Sequence, residues 1–82
     1  MAHFSIDLKL IQRLRDEKGI SIEEMSKHLG YDGYDYYYKK ERGIRKLSVE
    51  DIARIASVLE VPLDSLFFEE IVTELETVAV HK

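Results

Sequence analysis

Signals that start and stop helices recur through this sequence at intervals too short for any long helix. Two capping boxes, in which a serine is followed three residues later by an acidic residue, begin at Ser21 and at Ser48. Glycines of the kind that end helices stand at Gly19, Gly30 and Gly43. Because each helix must fit between two of these signals, the sequence predicts an all-α domain of short helices.

The segments between these signals carry apolar residues three or four positions apart, as the buried side of a helix requires. Ser5 is the expected N-cap of the first helix. Pro62 suits the first turn of a fifth helix, because a proline has no N–H group to leave unpaired there. The sequence therefore predicts a compact five-helix domain over residues 1–67. Its expected core faces are Leu8, Ile11 and Leu14; Met25 and Leu29; and Ile52, Ile55, Ala56 and Leu59.

The last segment, residues 68–82, follows this domain as a tail that fits two conformations. Its apolar residues match a helical stripe, but its β-branched residues make a strand equally compatible. We expect an extended or strand-like segment after Glu70. Because an exposed apolar segment is usually buried against a partner, the tail is the expected dimerisation element. The residues that would form the interface are Ile71, Val72, Leu75, Val78 and Val80.

Length and composition exclude several classes of protein. The 82 residues allow one domain, and no apolar run reaches the ~20 residues of a membrane-spanning helix. There is no cysteine and the three histidines are scattered, so we expect no disulfide, no metal site and no cofactor. The sequence has no glycine-rich phosphate-binding loop and no nucleophile–base pair, so no motif in it indicates catalysis. The expectation is a cytoplasmic binding protein, not an enzyme.

The charge is concentrated in one place. The chain has a net charge of -4, yet residues 39–46 (KKERGIRK) contain five basic residues and one acidic residue. A basic strip of this size can meet a phosphate backbone through a small patch, and a two-fold dimer would present that patch twice. An ordinary solvated loop would have the same composition.

Several segments, in this order and spacing, carry a resemblance to a known family. They are LIQRLRDEKGIS at 10–21, MSKHLG at 25–30, ERG at 41–43 and LSVEDIARIASVLEVPLDSLF at 47–67. Together they resemble the lambda-repressor-like helix-turn-helix family, of the Cro and xenobiotic-response-element type. The family lays its second helix across the DNA backbone and its third helix in the major groove. The resemblance implies a turn at residues 30–32, a recognition helix at about residues 33–40, and a dimeric repressor of bacterial or phage type.

The chemistry of base edges and phosphates indicates which residues of this helix and of the basic strip would meet double-stranded DNA. Asp35 would accept a hydrogen bond from a cytosine amino group, and Tyr34 and Tyr38 would contact phosphate, a base edge or a thymine methyl group. The family pairs an arginine of the first helix with the glutamate that closes the third, here Arg15 and Glu41. The expected DNA-binding residues are Gly33, Tyr34, Asp35, Tyr38, Lys39, Arg42, Arg45 and Lys46.

Departures from the family pattern leave a second function open. The family often begins its second helix with a phosphate-binding glutamine, where this chain has Ile22, and the segment from Gly30 to Gly43 is one residue longer than usual. Tyr37 and Lys40 occupy positions that usually hold aliphatic core residues, and we expect Tyr37 in the core. A tyrosine-rich helix also suits a protein interface, since tyrosine buries area at low entropy cost. The alternative is a protein-binding module, such as an antirepressor or an antitoxin-like partner.

Overall fold

The structure, a computed structural model, describes residues 2–71 and the side chains of residues 4–68. Four short α-helices follow a first strand and precede a 3₁₀ helix and a second strand. The elements in chain order are β1 (Ala2–Ile6), α1 (Leu8–Glu17), α2 (Ile22–His28), α3 (Tyr34–Glu41), α4 (Val49–Leu59), the 3₁₀ helix (Leu63–Leu66) and β2 (Phe67–Ile71).

Reciprocal caps fix the starts of α2 and α4. The Ser21 hydroxyl accepts from the Glu24 backbone N–H at 3.0 Å, and the Glu24 carboxylate accepts from the Ser21 N–H at 2.8 Å. Ser48 and Asp51 repeat this arrangement at 3.0 and 3.1 Å. Both capping boxes predicted from the sequence are therefore confirmed.

The prediction of five helices is wrong at both ends of the domain. Residues 2–6 form β1, which pairs antiparallel with β2 so that Ala2 lies opposite Ile71 and Ile6 lies opposite Phe67. Residues 63–66 form one 3₁₀ turn in place of a fifth α-helix, because the backbone is already extended at Phe67. Over residues 2–71 the fold is four α-helices with a small two-stranded sheet. The pairing of residues far apart in sequence cannot be predicted from local periodicity.

The boundaries of these end segments also differ from the prediction. Helix α1 begins after Asp7, whose carboxylate accepts from the Leu10 N–H at 3.1 Å. Ser5 lies in β1, so its predicted role as the N-cap is wrong. The extended segment begins at Phe67, before the predicted point after Glu70. Of the predicted dimerisation residues, Ile71 ends β2, whereas Val72, Leu75, Val78 and Val80 lie outside the described residues.

One apolar core joins all four helices and the 3₁₀ helix. Tyr37, expected in the core, is fully buried there, and burial raises the pKa of its phenol. Leu8 and Leu14, also expected in the core, are half-buried and pack against it. Within residues 2–71, no helix is long and apolar enough to cross a bilayer. The buried core residues are Ile11, Met25, Leu29, Tyr37, Ile52, Ile55, Ala56, Leu59 and Leu66.

Candidate nucleic-acid interface

The inner side of α3 determines which of its residues face outward. Tyr37, Lys40 and Glu41 are all buried, and their spacing of three and four residues places them on one side of the helix. Tyr34 and Asp35, in the first turn, are exposed. Because its inner side is anchored, α3 presents a defined outer surface.

A buried ion pair anchors the end of α3 to α1. The Arg15 guanidinium donates through Nε to Glu41 Oε2 at 2.8 Å and through Nη2 to Glu41 Oε1 at 3.2 Å. Its Nη1 donates to the Ile20 carbonyl at 2.8 Å, so the loop after α1 is held as well. Burial would lower the pKa of Arg15, but the hydrogen bonds to Glu41 outweigh it and the pKa is raised. These are the two residues that the family resemblance pairs.

A second buried cluster, formed by Tyr31, Lys40 and Asp51, joins the turn, α3 and α4. Lys40 Nζ donates to Asp51 Oδ2 at 2.7 Å and to the Tyr31 hydroxyl at 3.3 Å, and that hydroxyl donates to Asp51 Oδ1 at 2.9 Å. The Lys40 and Asp51 side chains are 10% and 5% exposed. Polar partners therefore accommodate Lys40 at a core position. The sequence marks Lys40 as unusual for the family but does not identify these partners.

The charges of this Tyr31–Lys40–Asp51 cluster stabilise each other. Burial alone would raise the pKa of Asp51, but hydrogen bonds from Lys40, Ser48 and Tyr31 outweigh it and lower the pKa below the ordinary value of an aspartate. Burial would likewise lower the pKa of Lys40, and the hydrogen bond to Asp51 raises it above its ordinary value. Both residues are thus charged across the physiological range.

Aromatic stacking adds to the link between the turn and α3. The Tyr31 and Tyr36 rings lie 4.4 Å apart between centroids and are inclined by only 13°. Lys40 Nζ lies 5.0 Å from the Tyr31 centroid and 5.8 Å from that of Tyr36, within the range of a cation–π interaction. The turn between α2 and α3 is therefore held by ring stacking as well as by hydrogen bonds.

A second stack runs along the outer surface of α3, and we call its three residues, Tyr34, Tyr38 and Arg42, the tyrosine ladder. The Tyr34 and Tyr38 rings lie 5.3 Å apart between centroids at an angle of 22°. The guanidinium carbon of Arg42 lies 5.1 Å from the Tyr38 centroid. Because the three residues are one helical turn apart, the side chains support one another along the helix.

Four cations lie beside the ladder: Lys39, Arg42, Arg45 and Lys46, here called the basic patch. None of them forms an ion pair within the described residues, whereas Lys40 and Glu41, from the same strip, are neutralised inside the protein. The loop is folded against the helix end, since the Arg45 N–H donates to the Lys39 carbonyl at 3.2 Å. The strip therefore leaves four positive charges on α3 and the loop that follows it, of which Lys39 is half-buried and the other three are exposed.

The eight residues predicted to bind DNA lie on α3, at its N-cap or in the following loop. Gly33 is the N-cap of α3 and has a φ of 87°, a conformation that is strained for residues with a side chain. A Cβ at this position would contact no other atom, so the backbone conformation is the reason for a glycine here. Asp35, Tyr36, Lys39 and Arg45 line a small notch on the surface of α3. The described residues contain no group of three or more possible metal ligands.

Helices α2 and α3 are joined by a tight turn, and the outer face of α3 lies beside cations that form no ion pair within the described residues. This arrangement defines a helix-turn-helix protein. The family model described as helix-turn-helix matches residues 11–66. The chain therefore belongs to the lambda repressor/Cro-like helix-turn-helix family, whose members are DNA-binding regulators and not typically enzymes. A search of the curated proteins finds no match to the chain.

The Tyr31–Lys40–Asp51 cluster predicts how stability depends on pH. We expect Asp51→Asn to lower the free energy of unfolding at pH 7 by about 3 kcal/mol, because Lys40 keeps a buried charge without its counter-ion. Since the folded pKa of Asp51 lies below its ordinary value, its contribution is complete above about pH 4 and is lost as the pH falls further. Urea unfolding between pH 2 and 7 should show this acid loss in the wild type and a shallower one in the variant.

The matched control is Asp64→Asn, which removes the same charge from an exposed position in the 3₁₀ helix. Its free energy of unfolding should stay within about 0.5 kcal/mol of the wild type at pH 7. Equal losses in the two variants would show that the buried contacts of Asp51 do not stabilise the fold.

Proposed function

We propose that this protein is a sequence-specific DNA-binding transcriptional regulator of bacterial or phage type, which represses in the cytoplasm by occupying its operator as a dimer. The observation that carries this proposal is the basic patch beside the outer face of α3. Anchored by Lys40 and Glu41 on its inner side, α3 has its exposed residues free to enter a major groove. The four cations stand where they would hold the helix in register against phosphates.

The size of the basic patch fits a dimer better than a monomer. Four phosphate contacts give a slope of about -3.6 in a plot of log affinity against log salt concentration, and two protomers give about twice that slope. One protomer alone would bind too weakly to hold an operator at physiological salt. Two copies related by two-fold symmetry would double the contacts and match an inverted repeat.

The remaining charges favour binding through this one surface. The chain as a whole has a net charge of -4, so the rest of its surface repels DNA. Asp32 and Asp35 are exposed beside the recognition helix and also oppose the phosphate backbone. A protein with this distribution gains little from non-specific contact, and its affinity depends on the correct fit of α3 to base edges.

The dimer interface is proposed to be the tail. Ile71 is the last residue of β2, and the apolar residues of the tail follow it in the sequence. Within the described residues each of the two strands is paired on one side only, and a second copy could satisfy the free edge. The residues proposed to meet the partner copy are Ile71, Val72, Leu75, Val78 and Val80.

A second candidate function is supported by the tyrosines. Tyr34 and Tyr36 are exposed on α3, at 50% and 48%. Rings of this kind are enriched in protein interfaces, and Asp32 and Asp35 would not weaken such an interface. A protein partner of the antirepressor or antitoxin type would then contact the same helix without using the basic patch.

Removal of the basic patch distinguishes the two functions. We expect alanine at Lys39, Arg42, Arg45 and Lys46 together to reduce duplex affinity by at least 100-fold, because four phosphate contacts are lost. Fluorescence anisotropy with an operator duplex at several salt concentrations measures both the affinity and the slope. The slope should fall toward zero in the variant.

The matched control removes four cations that lie on α1, at its end and on α4: Lys9, Arg13, Lys18 and Arg54. It makes the same change in net charge, so any general electrostatic effect appears in both variants. An equal loss of affinity in the two variants would contradict DNA binding through α3. Full retention of a protein partner by the patch variant would support the second function.

Deletion of residues 72–82 tests the tail and leaves β2 whole. We expect the truncated chain to sediment as a monomer at concentrations where the full chain is a dimer, because the apolar residues after Ile71 are gone. Analytical ultracentrifugation measures the mass, and circular dichroism checks that the helices remain. An unchanged dimer mass would place the interface elsewhere.

A further inference from the structure

The first turn of α3 limits which bases the helix can read. In helix-turn-helix proteins the N-terminal residues of this helix contact the base edges. In this chain Asp32 and Gly33 precede the helix, and Tyr34 and Asp35 begin it; all four are exposed. Bidentate recognition of guanine needs arginine or lysine, and that of adenine needs asparagine or glutamine. This turn contains none of these residues, so its readout depends on other contacts.

Tyr34 is held in place before any DNA is bound. Its ring stacks on Tyr38 with 5.3 Å between centroids, and Arg42 supports Tyr38 one turn further along at 5.1 Å. A side chain that is already ordered pays little entropy on binding. Half of the Tyr34 surface nevertheless remains exposed, whereas Tyr38 is only partly exposed between its two neighbours in the ladder. Tyr34 therefore presents a fixed apolar surface at the start of the helix.

The major groove offers one kind of apolar group, the C5 methyl of thymine. We infer that Tyr34 packs against the C5 methyl group of a thymine in each half-site and thereby selects thymine over uracil. The inference rests on the proposed function and names the base group that its recognition helix reads. The adjacent Asp35 carboxylate is an acceptor only and disfavours the N7 and O6 acceptors of guanine; because thymine O4 is an acceptor too, the selection of thymine rests on the methyl contact.

The test replaces thymidine by deoxyuridine, which removes the methyl group and keeps every hydrogen-bonding group of the base. The probe is the inverted-repeat duplex recovered by selection from a random pool, with deoxyuridine placed at one thymine position, or at one symmetry-related pair of positions, at a time. At one symmetry-related pair of positions we expect a loss of about fourfold in affinity per methyl group, and about 16-fold for the pair. The other positions should change little.

Two variants of Tyr34 assign the effect to this residue. Tyr34→Phe keeps the ring and should keep the thymine preference, because the hydroxyl makes no part of the contact. Tyr34→Ala should bind thymine and uracil duplexes equally at that pair of positions, so that the two changes are not additive. The side chain is half-exposed, and circular dichroism checks that both variants are folded.

The outcomes separate the inference from the function on which it rests. Equal affinity for thymine and uracil at every position, or a preference that survives Tyr34→Ala, would overturn the inference while DNA binding stands. Failure of the selection to enrich any duplex would overturn the proposed function, and the inference with it.

Discussion

The arrangement of this domain depends on how α3 is anchored through two consecutive charged residues. Lys40 is bound inside the protein by Asp51 of α4 and by Tyr31 of the turn, and Glu41 is bound by Arg15 of α1. Breaking a buried ion pair by removing one partner is strongly unfavourable, since the other charge is left without compensation. Rotation of α3 about its axis would break both pairs and withdraw Tyr37 from the core. The outer face of the helix is thereby fixed.

This anchoring also explains how an acidic chain can present a basic surface. Of the five cations in residues 39–46, Lys40 is neutralised by Asp51, and the acid of that strip, Glu41, is neutralised by Arg15. The other four cations form no ion pair within the described residues, and three of them are exposed. Stacking then orders the exposed tyrosines, so the proposed DNA-binding surface is largely formed before a partner arrives. Such preorganisation lowers the entropy cost of binding.

The sequence predicted the parts of the fold that local signals encode. The capping boxes at Ser21 and Ser48 and the burial of Tyr37 are confirmed, and the helix-turn-helix family is shown by the match over residues 11–66. Strand β1 was missed, and the extended segment after the helices was predicted to begin too late, because β1 and β2 pair residues at opposite ends of the domain. The cluster around Lys40 was missed because its partners come from a turn and another helix. The one available signal was Lys40, a lysine at a position spaced like a core residue. A buried lysine requires an acidic partner inside the protein, and here that partner is Asp51.

In the proposed complex α3 reads DNA bases while the basic patch holds the phosphates. Selection from a random pool of duplex DNA, repeated at low and near-physiological salt, tests it most directly. We expect enrichment of one inverted repeat that persists at the higher salt. Binding that enriches no sequence and disappears as the salt rises would contradict it, because such binding would come from charge alone.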